Sequence, residues 1–168
     1  MATIAPPDSR IAAVWDVLQG VPDPEVPVIS VVELGIIRGV KFEPTGQLII
    51  EVTPTYSGCP AVEAINVNIH AALQDAGYAQ VRVKSVIQPA WSTDDITDAG
   101  RKKLLAYGIA PPNGSASKGS LTGNDRPREC PLCQSTNTEL LSQFGSTACK
   151  ALYRCLDCRE PFDYFKCH

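Results

Sequence analysis

Apolar residues recur along the first hundred or so positions at two different periods, and each change of period marks an element. Ile11, Val14, Trp15 and Leu18 repeat at helical spacing, with Ser9 placed to cap that helix and Gly20 to stop it. Residues 21–28 (VPDPEVPV) carry three prolines, which exclude a helix interior and predict a rigid extended loop. The pattern then turns strand-like over Ile36–Phe42 and Leu48–Val52, joined by a turn at Pro44-Thr45-Gly46. A loop of small and hydroxyl residues follows, TPTYSGCP at 53–60. Pro60 suits the first position of a second helix. Val62, Ile65, Ile69 and Leu73 define its buried face and Gly77 its end. Val81–Ile87 reads as a third strand. Ser92-Thr93-Asp94-Asp95 then caps a last helix containing Ile96, Leu104 and Leu105, which Gly108 ends.

The order αββαβα predicts a two-layer α/β (α+β) sandwich over residues 1–110. The third strand follows a long helical connection, so it joins the sheet in parallel. Residues 111–128 are mostly Pro, Gly, Ser and Asn, the composition of a flexible linker. Residues 129–168 form a second module. There Leu140, Leu141 and Phe144, then Leu152 and Tyr153, then Phe162, Tyr164 and Phe165 suggest three short strands.

Composition adds limits. Apolar residues make up 44% and charged residues 20% of the 168, a globular balance, and the net charge is −3. Residues 1–9 lack the basic start and apolar run of a signal peptide, and no apolar stretch approaches the ~18–20 residues that span a bilayer. A cytoplasmic protein away from membranes is expected, in a compartment where thiols stay reduced. The seven cysteines then call for an explanation other than disulfides.

Six of the seven fall at or after position 130. Cys130-Pro131-Leu132-Cys133 and Cys155-Leu156-Asp157-Cys158 are two CxxC pairs with 21 residues between them. Each pair aims two thiolates at one ion, and two pairs complete a tetrahedral four-cysteine site. A module of about 40 residues buries too little apolar area to fold unaided, so a structural metal answers a physical need. This is a zinc ribbon by its chemistry, although four thiolates also accept an iron–sulfur cluster. Cys149, Cys167 and His168 are left over: a half-buried thiol and a frayed tail, or a second, labile metal site. From residue 111 on, seven Lys/Arg stand against six Asp/Glu, with no basic stripe, which disfavours nucleic acid as a partner.

Cys59 stands alone at the start of the second helix. A helix start offers free amides and a positive dipole end to a sulfur that attacks or ligates. Thr53, Thr55, Tyr56 and Ser57 add hydroxyls, and Gly58 lets the backbone approach closely. The plain alternative is a small buried cysteine at a strand–helix turn. Several enzyme classes fail on the residues. A cysteine phosphatase needs an Arg about six residues on, where Ile65 stands. No second Cys makes a thioredoxin-type pair. His70 lies eleven residues on, about 16 Å along a helix and too far for a base. Asp23 and Glu25 flank Pro24, either as turn chemistry or as groups that orient the Cys59 loop or touch a metal.

Residues 23–35 (DPEVPVISVVELG), TPTYSGCP and the helix order resemble the small iron–sulfur assembly domain of cytosolic cluster-targeting and Suf-type accessory proteins. Outside the linker, nearly the whole chain resembles the PaaD (PaaJ) family, which belongs to the phenylacetyl-CoA epoxidase system of aerobic phenylacetate degradation. PAWSTD (89–94), YGIAPP (107–112), FGST (144–147), Cys149-Lys150 and the terminal ribbon carry that likeness. The resemblance implies an accessory maturation factor, not a catalytic component, that helps install or repair iron centres in the oxygenase or its reductase. It implies that Cys59 is the family's reactive cysteine and that Asp23 and Glu25 form its acidic loop. The chain itself has no Glu-x-x-His pair of the kind a di-iron carboxylate site uses.

The expectation is thus a non-enzymatic accessory protein. Cys130, Cys133, Cys155 and Cys158 would hold zinc. Cys59, with Asp23, Glu25, Thr55 and Ser57, would form a transient iron or iron–sulfur site. Its partners would be oxygenase or reductase subunits, and a homodimer would let two Cys59 thiolates share a cluster, since one is too few. The rivals are a structural adaptor of the oxygenase complex and, disfavoured by charge, a nucleic-acid-binding ribbon.

Overall fold

The structure, a computed structural model, describes residues 7–113, 127 and 129–166. The chain forms two compact units, Met1–Trp91 and Ser92–His168.

In the first unit, helix α1 (Pro7–Gln19) buries Val14 and Leu18. It starts ahead of Ser9, so that residue lies inside the helix instead of capping it. The proline-rich segment does not run extended as expected. It doubles back through a Pro22–Ser30 bridge and an Asp23 N–H to Ile29 carbonyl bond of 2.9 Å, which tucks Val21, Val26 and Ile29 inside. Prolines forbid helix there, but they leave the chain free to fold on apolar anchors.

Strands β1 (Ile37–Phe42), β2 (Leu48–Val52) and β3 (Val81–Ser85) form a sheet in the order β1-β2-β3. β1 and β2 make the antiparallel hairpin expected of the Pro44–Gly46 turn, and Gly46 takes φ +86. β2 is central and mostly apolar, with Leu48, Ile49, Ile50 and Val52 all buried. β3 pairs with it in parallel after the crossover helix α2 (Ala61–Asp75). α2 buries Ala61, Ile65, Ile69 and Leu73, while Val62 is only half-buried. Each large apolar side chain of this kind adds about 1.5–3 kcal/mol when taken fully from water. β3 stops at Ser85, short of Ile87, which is 81% exposed. The segment after it is pinned back onto this unit. The Trp91 indole donates to the Leu34 carbonyl at 2.8 Å, and the Arg38 guanidinium donates to the Ala90 carbonyl at 3.2 Å.

The second unit opens with a 3-10 turn, Thr93–Asp95, closed by a Ser92/Asp95 capping box. The single helix expected from Ser92 onward is therefore interrupted. Ile96 is extended and buried, and a new cap at Thr97 starts α3 (Asp98–Ala106). Leu104 is buried there and Leu105 is exposed. Two capping motifs in succession each favour their own helix start, which the apolar spacing alone does not distinguish.

β4 (Ile109–Ala110), β5 (Thr138–Ser142), β6 (Lys150–Cys155) and β7 (Pro161–Phe165) form a sheet in the order β4-β7-β6-β5. β4 runs parallel to β7; the other neighbours are antiparallel. Ala110, Cys130, Ala151, Tyr153, Cys155, Phe162 and Tyr164 pack as its core. Tyr153 stacks on Phe162 with centroids 6.0 Å apart and meets Tyr164 edge-on at 5.7 Å. The Leu140/Leu141/Phe144 strand differs from expectation. The register shifts between Leu140 and Ser142, both leucines are largely exposed, and Phe144 lies beyond the strand at 58% exposure.

Candidate metal centre

Each CxxC pair sits on a tight knuckle. In the first, Cys130 N–H donates to the Ser135 carbonyl at 2.8 Å and Gln134 N–H returns to the Cys130 carbonyl at 2.8 Å. In the second, Cys155 N–H donates to the Glu160 carbonyl at 3.0 Å. The residue after the second cysteine is left-handed in both, with φ 63 at Gln134 and φ 66 at Arg159. Amides inside the knuckles point at sulfur: Leu132 N–H reaches Cys130 Sγ at 3.4 Å, and the amides of Cys158 and Asp157 reach Cys155.

The two knuckles bring all four Sγ atoms within 4.8 Å of one another. Cys130 and Cys158 are 3.9 Å apart, and Cys133 and Cys155 are 3.5 Å apart. A tetrahedral ion with Zn–S of about 2.3 Å requires sulfurs about 3.8 Å apart, so the donor set fits one zinc-sized ion. A multi-iron cluster, ligated at separate irons, holds its thiolates farther apart. Cys130 and Cys155 are buried, Cys158 is half-buried and Cys133 is exposed.

The electrostatics agree with a cation site. Backbone amides, Cys158's first, pull the Cys155 thiol down to about 6. The Glu160 amide also lowers Cys158, but burial and the sulfurs of Cys133, Cys155 and Cys130 outweigh it and push that thiol up to about 12. Four thiolates at this spacing repel, so protons stay on some of them until a dication replaces those protons.

The other candidate residues lie elsewhere. Cys59 is half-buried one residue before the N-cap of α2, Pro60. Its N–H reaches the Tyr56 carbonyl at 3.3 Å and its carbonyl accepts from Val62 N–H at 3.3 Å. Gly58 beside it has φ +80 with open space where a Cβ would stand, so conformation rather than crowding calls for glycine. Thr55 is half-buried and Ser57 exposed in the same bend. Asp23 is buried, and its Oδ1 accepts from Glu25 N–H at 2.9 Å and Val26 N–H at 2.7 Å. That is turn chemistry for the folded-back loop. Glu25 is half-buried. Among the described residues, the four C-terminal cysteines are the one group of three or more metal-donor side chains brought together, and Cys59, Asp23 and Glu25 are outside it. Cys149 is buried against Thr147 Oγ1 at 3.1 Å and also lies outside that group. Cys167 and His168 lie outside the described residues.

Two sets of polar residues take roles that the apolar pattern and the cysteine spacing do not reveal. Ser30 and Glu33 are buried and bond reciprocally, Ser30 N–H to Glu33 Oε2 at 3.0 Å and Glu33 N–H to Ser30 Oγ at 3.1 Å. The Ser-x-x-Glu spacing was the available signal. The second set is Ser135, Asn137 and Asp157, in which Asp157 accepts from Ser135 Oγ and from Asn137 Nδ2 at 3.0 Å. Those two bonds hold the Asp157 carboxyl below the usual carboxylate range. No local pattern announces them.

By fold and site this is a two-module α+β protein with a four-cysteine metal ribbon. Residues 11–85 match the family model described as iron–sulfur cluster assembly protein, and residues 114–166 match that of the PaaD zinc beta ribbon domain. The chain is 48% identical over 167 residues to a protein of Escherichia coli described as the putative D subunit of 1,2-phenylacetyl-CoA epoxidase, covering 99% of this chain and 98% of that one. It belongs to the PaaD family. A match to an Fe–S protein maturation auxiliary factor of Porphyromonas gingivalis is 28% identical over 88 residues, 52% of this chain and 83% of that protein. A crystal structure of a DUF59 domain from Bacillus anthracis superposes with TM-score 0.53 at 23% identity, covering 58% of this chain and 92% of that one, and so shares its fold. Among the described residues, no helix is long and apolar enough to cross a membrane.

Proposed function

We propose that this protein is an accessory factor of the phenylacetyl-CoA epoxidase system. It helps assemble or repair an iron or iron–sulfur centre in the oxygenase or reductase, and it performs no catalysis itself. The observation that carries this reading is the pairing, in one chain, of an assembly-type unit with a PaaD ribbon. The ribbon's four thiolates hold zinc, which supplies the cross-link a small sheet needs. Cys59 offers a half-buried thiol beside a helix start, suited to brief ligation of iron cargo and handover. Asp23 shapes its own turn, residues 23–26, through its two amide bonds.

A second reading, a structural adaptor of the oxygenase complex, is favoured by one observation: among the described residues, Cys59 has no further pair of metal donors gathered around it. One experiment separates the two. The partner enzyme is purified from cells making wild-type protein, Cys59→Ser or none, and its iron and activity are measured. Cargo handling leaves the partner iron-poor in the last two strains. Full metallation with activity restored stoichiometrically by added protein, whether wild type or Cys59→Ser, decides for the adaptor. A fully metallated, active partner from deletion cells removes both readings.

A further inference from the structure

The two knuckles share the left-handed residue after their second cysteine, but they differ at the third position. The first knuckle has Leu132 there, 56% exposed, and the second has Asp157. Four thiolates already load this site with negative charge, so another carboxylate beside it adds repulsion. Its place must be explained by what it bonds. Oδ2 accepts from Ser135 Oγ and Oδ1 accepts from Asn137 Nδ2 at 3.0 Å. Ser135 Oγ in turn accepts from Asn137 N–H at 3.0 Å, and the Asn137 carbonyl accepts from Leu156 N–H at 2.8 Å. A closed ring of hydrogen bonds thus joins the residues that leave the first knuckle to the middle of the second.

We propose that Asp157 is a positioning residue of the metal centre: it ties the two knuckles to each other independently of the ion, so neither pair of thiolates can swing away alone. This rests on the reading that the four cysteines hold zinc. A competing chelator removes such an ion by displacing thiolates one at a time, and the exposed Cys133 is the first it can reach. While Ser135 stays bonded to Asp157, a detached Cys133 remains within reach and rebinds. Without the clasp, the first knuckle is held to the second by the Leu156–Asn137 backbone bond and by the sheet pairing that starts at Thr138 opposite Cys155. The clasp therefore sets how slowly the ion leaves.

The test uses the full-length zinc-loaded protein and the release of zinc to excess colorimetric chelator. Asp157→Ala should release zinc about 10-fold faster than wild type, the low end of the loss in metal affinity seen when groups bonded directly to a metal ligand are removed, because Asp157 bonds Ser135 and Asn137 and not a ligand side chain. Ser135→Ala should move part of that way, and the double variant should lose no more than Asp157→Ala alone. Asp157→Asn, which keeps an acceptor and drops the charge, should restore most of the retention. Cobalt substituted for zinc should keep its tetrahedral thiolate absorption in every variant, a readout that loss of the ligand set would change. Equal release from wild type and Asp157→Ala overturns the clasp, as does simple additivity in the double variant. If Asp157→Ala does not fold, Ser135→Ala and Asn137→Ala carry the test, and release as slow as wild type from both overturns it. A wild-type chain that takes up neither ion overturns the zinc reading and the clasp together.

Discussion

At the scale of single residues, the acidic loop separates structure from chemistry. Buried Asp23 accepts from two backbone amides through one oxygen, so Asp23→Ala removes the acceptor they share. The expected cost is about 1–3 kcal/mol in urea unfolding. Asp23→Asn keeps an oxygen in place and should recover most of it. A recovered fold that still fails to support the partner enzyme would show that the charge matters beyond the turn. Cys59→Ser should be mild for the fold, less than about 2 kcal/mol, with zinc content unchanged. The thiols of the ribbon make a second prediction. Backbone amides pull the Cys155 thiol down to about 6, while burial and the neighbouring sulfurs outweigh the Glu160 amide and push Cys158 up to about 12, so Cys158 holds its proton the more tightly. Zinc uptake must displace that proton, so binding should release at least one proton per ion and apparent affinity should rise with pH. Calorimetry in buffers of different ionisation enthalpy measures the number. Uptake with no proton released would mean the thiols are not the ligands.

At the scale of elements, what could be read from sequence was what is local. The β1–β2 hairpin announces itself through its turn, and α2 through one apolar stripe between Pro60 and Gly77. The four-cysteine set follows from spacing alone. What could not be read depends on distant partners. β4 is two residues long and exists because β7 lies beside it. Asp157 finds Ser135 and Asn137 across the whole span between the knuckles. The break at Ile96 is local instead: the caps at Ser92 and Thr97 each start their own helix, and apolar spacing does not distinguish them. The place of β4 yields a test. The metal's knuckles close β6 against the residues ahead of β5, and β7 pairs with β6. Removing zinc, or replacing Cys155 by Ser, should therefore raise amide hydrogen exchange in β5, β6 and β7 and also at Ala110 in β4. Exchange in β1–β3 should stay near its metal-bound level. Unchanged protection of β6 and β7 after the metal is gone would mean their packed aromatic core suffices.

At the scale of the whole molecule, the question is how a chain with one cysteine in its N-terminal unit could carry a cluster. Iron–sulfur clusters are held by several thiolates, commonly four, and no second metal-donor group of three or more forms among the described residues. Two routes remain for Cys59 as a carrier. It holds a cluster jointly with small thiols or a recipient protein, or two chains bring their Cys59 residues together. The second route makes the sharper prediction. Anaerobic reconstitution with iron and sulfide should produce a species at twice the 18.0 kDa chain mass, coloured by cluster absorption. Cys59→Ser should abolish both the colour and the doubling while each chain keeps its one zinc. Cys155→Ser should do the reverse, losing zinc while the iron-dependent doubling persists, because the assembly-type unit keeps its own core. Iron bound at monomer mass, still dependent on Cys59, would discard the paired-chain route and leave ligands from a recipient or small thiol. Iron bound equally well by Cys59→Ser would place the cargo elsewhere and remove this thiol from the mechanism.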